Sequence, residues 1–171
     1  MKKTQRTLQK ENITKKEVLH LAFELSQNQW KLGFSDGNKL RFKTIVARDL
    51  NQLQEEIEKA KGKFKLGEDV SIVSCYEAGR DGFWLHRYLL SCGIKNVVVD
   101  SSSIEVDRRK RRAKTDRIDA GKLLNMLMRY HGGEKLSWRV VRVPSVKEED
   151  GRHLHRELEA LKKKERCTVT G

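Results

Sequence analysis

Apolar positions cluster and alternate along this chain in a way that predicts strands first and helices later. Val18 to Phe23 is an apolar run broken by one histidine and closed by Glu24. Gln29-Trp30-Lys31-Leu32-Gly33-Phe34 alternates like a half-exposed strand, Asp36-Gly37-Asn38 carries turn residues, and Leu40 to Val46 alternates again. Two alternating runs around such a turn predict a hairpin. Leu50, Leu53, Ile57 and Ala60 then recur at helical spacing among Gln, Glu and Lys. Val70 to Tyr76 reads as a buried strand with Glu77 at its end. A helix holding Phe83, Trp84, Leu85, Tyr88 and Leu89 follows, closed by Gly93. Ile94 to Val99 is a short strand, and Ile118, Leu123, Leu124 and Leu127 mark a helix ending near Gly132-Gly133.

Three meandering strands followed by alternating helices and strands is the order of an α/β, ribonuclease H-like domain with a mixed sheet. In that arrangement the first strand is central, and metal-binding carboxylates come from the first strand, the fourth strand and the last helix. Glu24, Glu77 and the Asp116/Asp119 pair fall at those places. The fold name rests on element order alone, which does not by itself carry function. The chain divides into a basic, flexible tail (1–16), the α/β domain (17–143) and a helical linker (144–171). In the linker Leu154, Leu158 and Leu161 form a narrow stripe suited to packing on another helix, and homo-oligomerisation through it is expected.

Charge changes the picture more than size does. The 171 residues are 37% hydrophobic, enough for a core, yet 36% are charged and the formal net charge is +13. An excess of this size favours a polyanionic partner, because each Lys or Arg set against a phosphate releases a condensed counterion. No apolar stretch reaches the roughly eighteen residues a membrane span needs, and the basic N-terminus lacks the apolar centre of a signal peptide. Cys75, Cys92 and Cys167 are unevenly spaced with no C-x-x-C, which suits a reducing compartment; a cytoplasmic, nucleic-acid-directed protein is expected.

The candidate chemistry is carboxylate chemistry. Asp116 and Asp119, at i and i+3, point the same way on a helix. Directly before them lies the cationic run Arg108-Arg109-Lys110-Arg111-Arg112-Ala113-Lys114. Carboxylates beside concentrated positive charge suit a site where divalent ions meet a phosphate backbone. Each residue also has a plainer reading. Glu77 is equally placed to cap a strand end, Asp116 and Asp119 are favoured in a helix's first turn by its dipole with Thr115 as N-cap, and Glu24 is an acid where a strand meets solvent. The run could be a solvated loop, with phosphate contact preferred because so little acid interrupts it. His20 is expected to pack in the first strand, and no H-E-x-x-H spacing marks a zinc site.

The stretch Val73 to Leu85, with Tyr76-Glu77-Ala78-Gly79-Arg80, resembles the second acidic motif of the DEDD-type, bridge-RNA-guided transposases of bacterial insertion sequences. Asp100 to Ile104 through Lys114 to Ala120 is similar to that family's third and fourth motifs, and Val143-Pro144 with Arg152 to Leu158 to its linker into a coiled coil. The resemblance covers roughly Val18 to Glu165. It implies a RuvC-like domain that binds magnesium or manganese through Glu24, Glu77, Asp116 and Asp119 as catalytic carboxylates. It also implies DNA and guide RNA as partners, with DNA transposition completed by a further domain bearing a nucleophilic serine. The first acidic position here is Glu where the family has Asp, and the chain ends before the serine-bearing domain, so an incomplete enzyme is expected. Two rivals are a non-catalytic nucleic-acid-binding remnant and a stand-alone junction-cleaving nuclease.

Overall fold

A computed structural model describes residues 17–79, 83–103 and 116–168. The described residues build β1 (Val18–Leu25), β2 (Gln29–Ser35), β3 (Leu40–Val46), α1 (Leu50–Phe64), β4 (Ser71–Glu77), α2 (Trp84–Ser91), β5 (Lys95–Val99), a single 3-10 turn (Ser101–Ser103), α3 (Asp116–His131) and α4 (Val146–Thr168). The tail expected at 1–16 lies outside the described residues.

The strands form one mixed sheet in the order β3-β2-β1-β4-β5. β1 pairs antiparallel with β2, and β2 with β3, through tight connections, whereas β1–β4 and β4–β5 are parallel and joined through helices. A hairpin can close in a few residues but a parallel pair needs a crossover, so the chain order dictates this mixture. The arrangement is compatible with a ribonuclease H-like fold, with β1 at its centre.

Alternation along β1 sorts its side chains between two cores. Leu19, Leu21 and Phe23 face a cluster closed by Leu53, Ile57 and Ala60 of α1 and Leu85 and Leu89 of α2. Ala22 faces the opposite cluster with Val73, Cys75, Val99 and Leu123, Leu124, Met126 and Leu127 of α3. The helices therefore cover both faces of the central strands. This corrects the half-exposed reading of β2: Trp30, Leu32 and Phe34 are fully buried, and Gly33 and Ser35 are buried as well, because α3 lies over what alternation marked as the outer face.

Local chemistry sets the boundaries. Gly37 takes φ 97° in the β2–β3 turn, and the Asp36 carboxylate accepts from the amides of Asn38 and Lys39 at 2.8 and 2.7 Å. Asp49 caps α1 by accepting from the Gln52 amide at 2.9 Å. α2 stops where Gly93 turns to φ 75° and the Ile94 amide donates back to the Leu89 carbonyl at 2.9 Å.

One pairing had no counterpart in the sequence reading. After α3 the chain returns along β5: the Val141 amide donates to the Val98 carbonyl at 2.8 Å and the Asp100 amide to the Arg139 carbonyl at 2.9 Å. Its bridge at Val99–Val140 covers an otherwise open sheet edge. α4 is anchored at its start, where Arg87 donates to the Glu149 carboxylate at 2.7 Å and to the Pro144 carbonyl at 3.0 Å, and Glu149 accepts from the Phe83 amide at 3.3 Å. Farther along, Leu154, Leu158 and Leu161 are exposed.

Candidate nucleic-acid and metal site

Parallel strands carry their C-terminal ends to the same edge of a sheet. Phe23 of β1 and Tyr76 of β4 are register partners, so Glu24 and Glu77, the next residue on each, end up as neighbours. Both belong to the face of the sheet that α3 covers, since each is two residues beyond a member of that core, Ala22 and Cys75. Glu24 is half-buried with Oε2 removed from water, and Glu77 is exposed. A carboxylate pair of this kind, one half-buried and one wet, can accept from donors or share a cation, and repels itself when left bare.

α3 runs antiparallel to β1 and brings its first turn to this edge. Its last residue, His131, lies 3.4 Å from His20 near the start of β1. Glu24 is four residues along β1 from His20, about 13 Å at ~3.3 Å per residue. Ala120 is eleven residues back along α3 from His131, about 16 Å at ~1.5 Å per residue. The two ends meet: Ala120 lines an open hollow of about 410 Å³ together with Lys31, Leu40, Phe42, Lys43 and Thr44, and Lys31 is the register partner of Glu24. Asp116 and Asp119 stand in the turn just before Ala120, where the structure describes the backbone. Among the described residues, no three His, Cys, Asp or Glu side chains gather as a metal-binding group.

Close approach of α3 depends on small residues. A Cβ on Gly33 would meet Cε1 of Phe42 at 3.1 Å and Cδ2 of Leu124 at 3.4 Å, and one on Gly121 would meet the Phe42 ring at 3.5 Å. Glycines on strand and helix thus leave the space that the Phe42 ring fills beside the hollow.

Asp100, one residue beyond β5, reaches the same edge but is committed locally. The Ser102 amide and hydroxyl donate to it at 3.0 and 2.9 Å, and those bonds hold its carboxyl below the usual carboxylate range. Of the residues anticipated from sequence, Glu24 and Glu77 are neighbours and the helix bearing Asp116 and Asp119 enters beside them. Arg108, Arg109, Lys110, Arg111, Arg112 and Lys114 lie outside the described residues, as do Arg80 and Thr115. Lys31 was missed, having been counted only as a polar position of a strand. Counting hairpin register out from the Ser26-Gln27-Asn28 connection between β1 and β2 would have set it opposite Glu24.

No protein-family model matches the chain. Over 149 residues it is 37% identical to a Sinorhizobium fredii (strain NBRC 101917 / NGR234) protein named "Putative transposase y4rJ", a match covering 84% of this chain and 38% of that protein. The chain therefore spans well under half the length of that relative.

Proposed function

We propose that the chain is a RuvC-like, DNA-acting domain of an insertion-sequence transposase, with Glu24, Glu77, Asp116 and Asp119 as its metal-holding carboxylates. The observation that carries the reading is the meeting of Glu24, Glu77 and the first turn of α3 at one sheet edge, reached independently of the likeness to the named transposase. The donor set is all oxygen, which fits Mg²⁺ or Mn²⁺ and does not fit a thiophilic ion.

When bound, such an ion supplies charge for the oxygens that develop negative character as a phosphodiester is displaced. The chain's own residues do the rest. Glu24, fixed within the central strand and partly withdrawn from water, is the rigid member of the set. Glu77, exposed at its strand end, can reorient as substrate arrives. Lys31 beside Glu24, and the run from Arg108 to Lys114 that precedes α3 in sequence, supply positive charge for the flanking backbone. Guide RNA is proposed as a second polyanion for that basic surface. The leucines of α4, anchored at one end and exposed beyond it, are proposed to pair with a second copy, and the serine nucleophile is proposed to belong to a further domain.

The test is binding of this chain to duplex and four-way-junction DNA with Mn²⁺ or with chelator. Metal should strengthen binding, and Glu77→Gln should remove the metal effect while leaving the metal-free level intact. Equal binding in both conditions would favour the non-catalytic reading, and symmetric junction cleavage by this chain alone would favour the nuclease reading.

A further inference from the structure

At the end of the domain opposite the carboxylates, α3 is tied to β1 by two imidazoles. Nε2 of His20 and Nδ1 of His131 are 3.4 Å apart, with ring centroids 5.3 Å apart and planes at 71°. That separation is long for an N–H···N hydrogen bond, whose usual length is about 3 Å. It matches two nitrogens on one tetrahedral cation, which at ~2.0–2.1 Å from each fall about 3.4 Å apart.

We propose that His20 and His131 form a two-imidazole site for a borderline divalent cation, Zn²⁺ or Ni²⁺, which cross-links α3 to β1. Both lone pairs turn to the ion. The ring protons then sit on Nδ1 of His20, which is buried, and on Nε2 of His131, at the exposed end of α3. The Ser35 backbone, register partner of His20, favours a proton on that ring. A ligating histidine is ordinarily oriented by a bond from its other nitrogen, whereas Nδ1 of His20 is buried with no hydrogen-bond partner among the described residues, which lowers the affinity. Burial first, then His131, pulls the His20 pKa below its ordinary value. Burial, then Lys135 and Lys95, does the same for His131. Both rings are thus neutral and available at neutral pH. The two lysines also weaken attraction for a cation, and with no third His, Cys, Asp or Glu joining among the described residues, water completes the shell. The site is weaker than a closed structural zinc site. Imidazole selects Zn²⁺ or Ni²⁺ over Mg²⁺, so Mg²⁺ does not compete for this site, whereas the carboxylate edge accepts Zn²⁺ as well as Mg²⁺.

The experiment is ZnCl₂ titration of the 171-residue chain at pH 7.5, read by calorimetry and by thermal midpoint, with MgCl₂ as control. With the carboxylate edge removed from competition by Asp116→Asn and Asp119→Asn, one equivalent should bind, and at tenfold over Kd the midpoint should rise by about 3–5 °C. His131→Ala added to that background, an exposed change that leaves the fold intact, should weaken Zn²⁺ at least tenfold. The proposal is overturned if the chain with both aspartate changes shows no response, or if adding His131→Ala leaves its binding as it was.

Discussion

Glu24 and Glu77 stand one residue beyond the register pair Phe23–Tyr76, on adjacent parallel strands and on the face that α3 covers. Nothing near them in sequence announces the neighbourhood: 53 positions separate them, and only the parallel pairing of β1 with β4 closes the gap. The relationship makes the sheet edge a natural meeting place for α3's acidic first turn.

The fit of α3 is open to a direct test. Gly33→Ala would set a Cβ 3.1 Å from the Phe42 ring and 3.4 Å from Leu124, so one of them must yield. A loss of about 1–3 kcal/mol in chemical denaturation is expected, as for an overpacked core. Adding Phe42→Leu should recover part of it. An unchanged denaturation midpoint for Gly33→Ala would show that α3 is not seated as closely as described.

Much of this fold could be read in the sequence because its signals are local. The turn at Asp36-Gly37-Asn38, the cap at Gly93 and the helical spacing of Leu53, Ile57 and Ala60 each depend on near neighbours, and all match the structure. The reading failed where burial comes from elsewhere in the chain. β2 looked half-exposed because its second face is closed by α3, some ninety residues away. The return of 139–141 along β5 leaves no periodicity to detect. For the site, the residue types of Glu24, Glu77, Asp116 and Asp119 were legible. The approach of Lys31, and the contact of His20 with His131 across the sheet–helix interface, depend on register and helix direction that no short window contains.

Acid should loosen the domain before its carboxylates titrate. Burial lowers the pKa of His20, His131 and His86 from 6.5 in each case, aided by His131, by Lys135 and Lys95, and by Arg87 respectively. A lowered folded-state pKa means that the unfolded chain takes up protons first. The contribution is therefore present above about pH 6.5 and is lost as pH falls through the folded values. The urea midpoint, measured without divalent ions, should decline from pH 7.5 to 5.0. His131→Gln should flatten that decline, and a slope identical to the parent's would remove the His20–His131 contact from the explanation.

DNA binding should be steeply salt-dependent, with a log–log slope of about −0.9 per duplex phosphate neutralised. Neutralising Arg108, Arg109, Arg111 and Arg112 together should flatten the slope and weaken all sequences alike. Retained slope and affinity would move the contact elsewhere, with the basic stretch 1–16 the next candidate.

The most direct measurement is a Mn²⁺ titration of this chain followed by calorimetry, comparing the parent with Asp116→Asn/Asp119→Asn and with Glu77→Gln. The carboxylate edge predicts saturable binding in the parent and at least tenfold weaker binding in both variants, with their far-ultraviolet spectra unchanged. Parent-like Mn²⁺ binding in both folded variants would contradict the account at its centre.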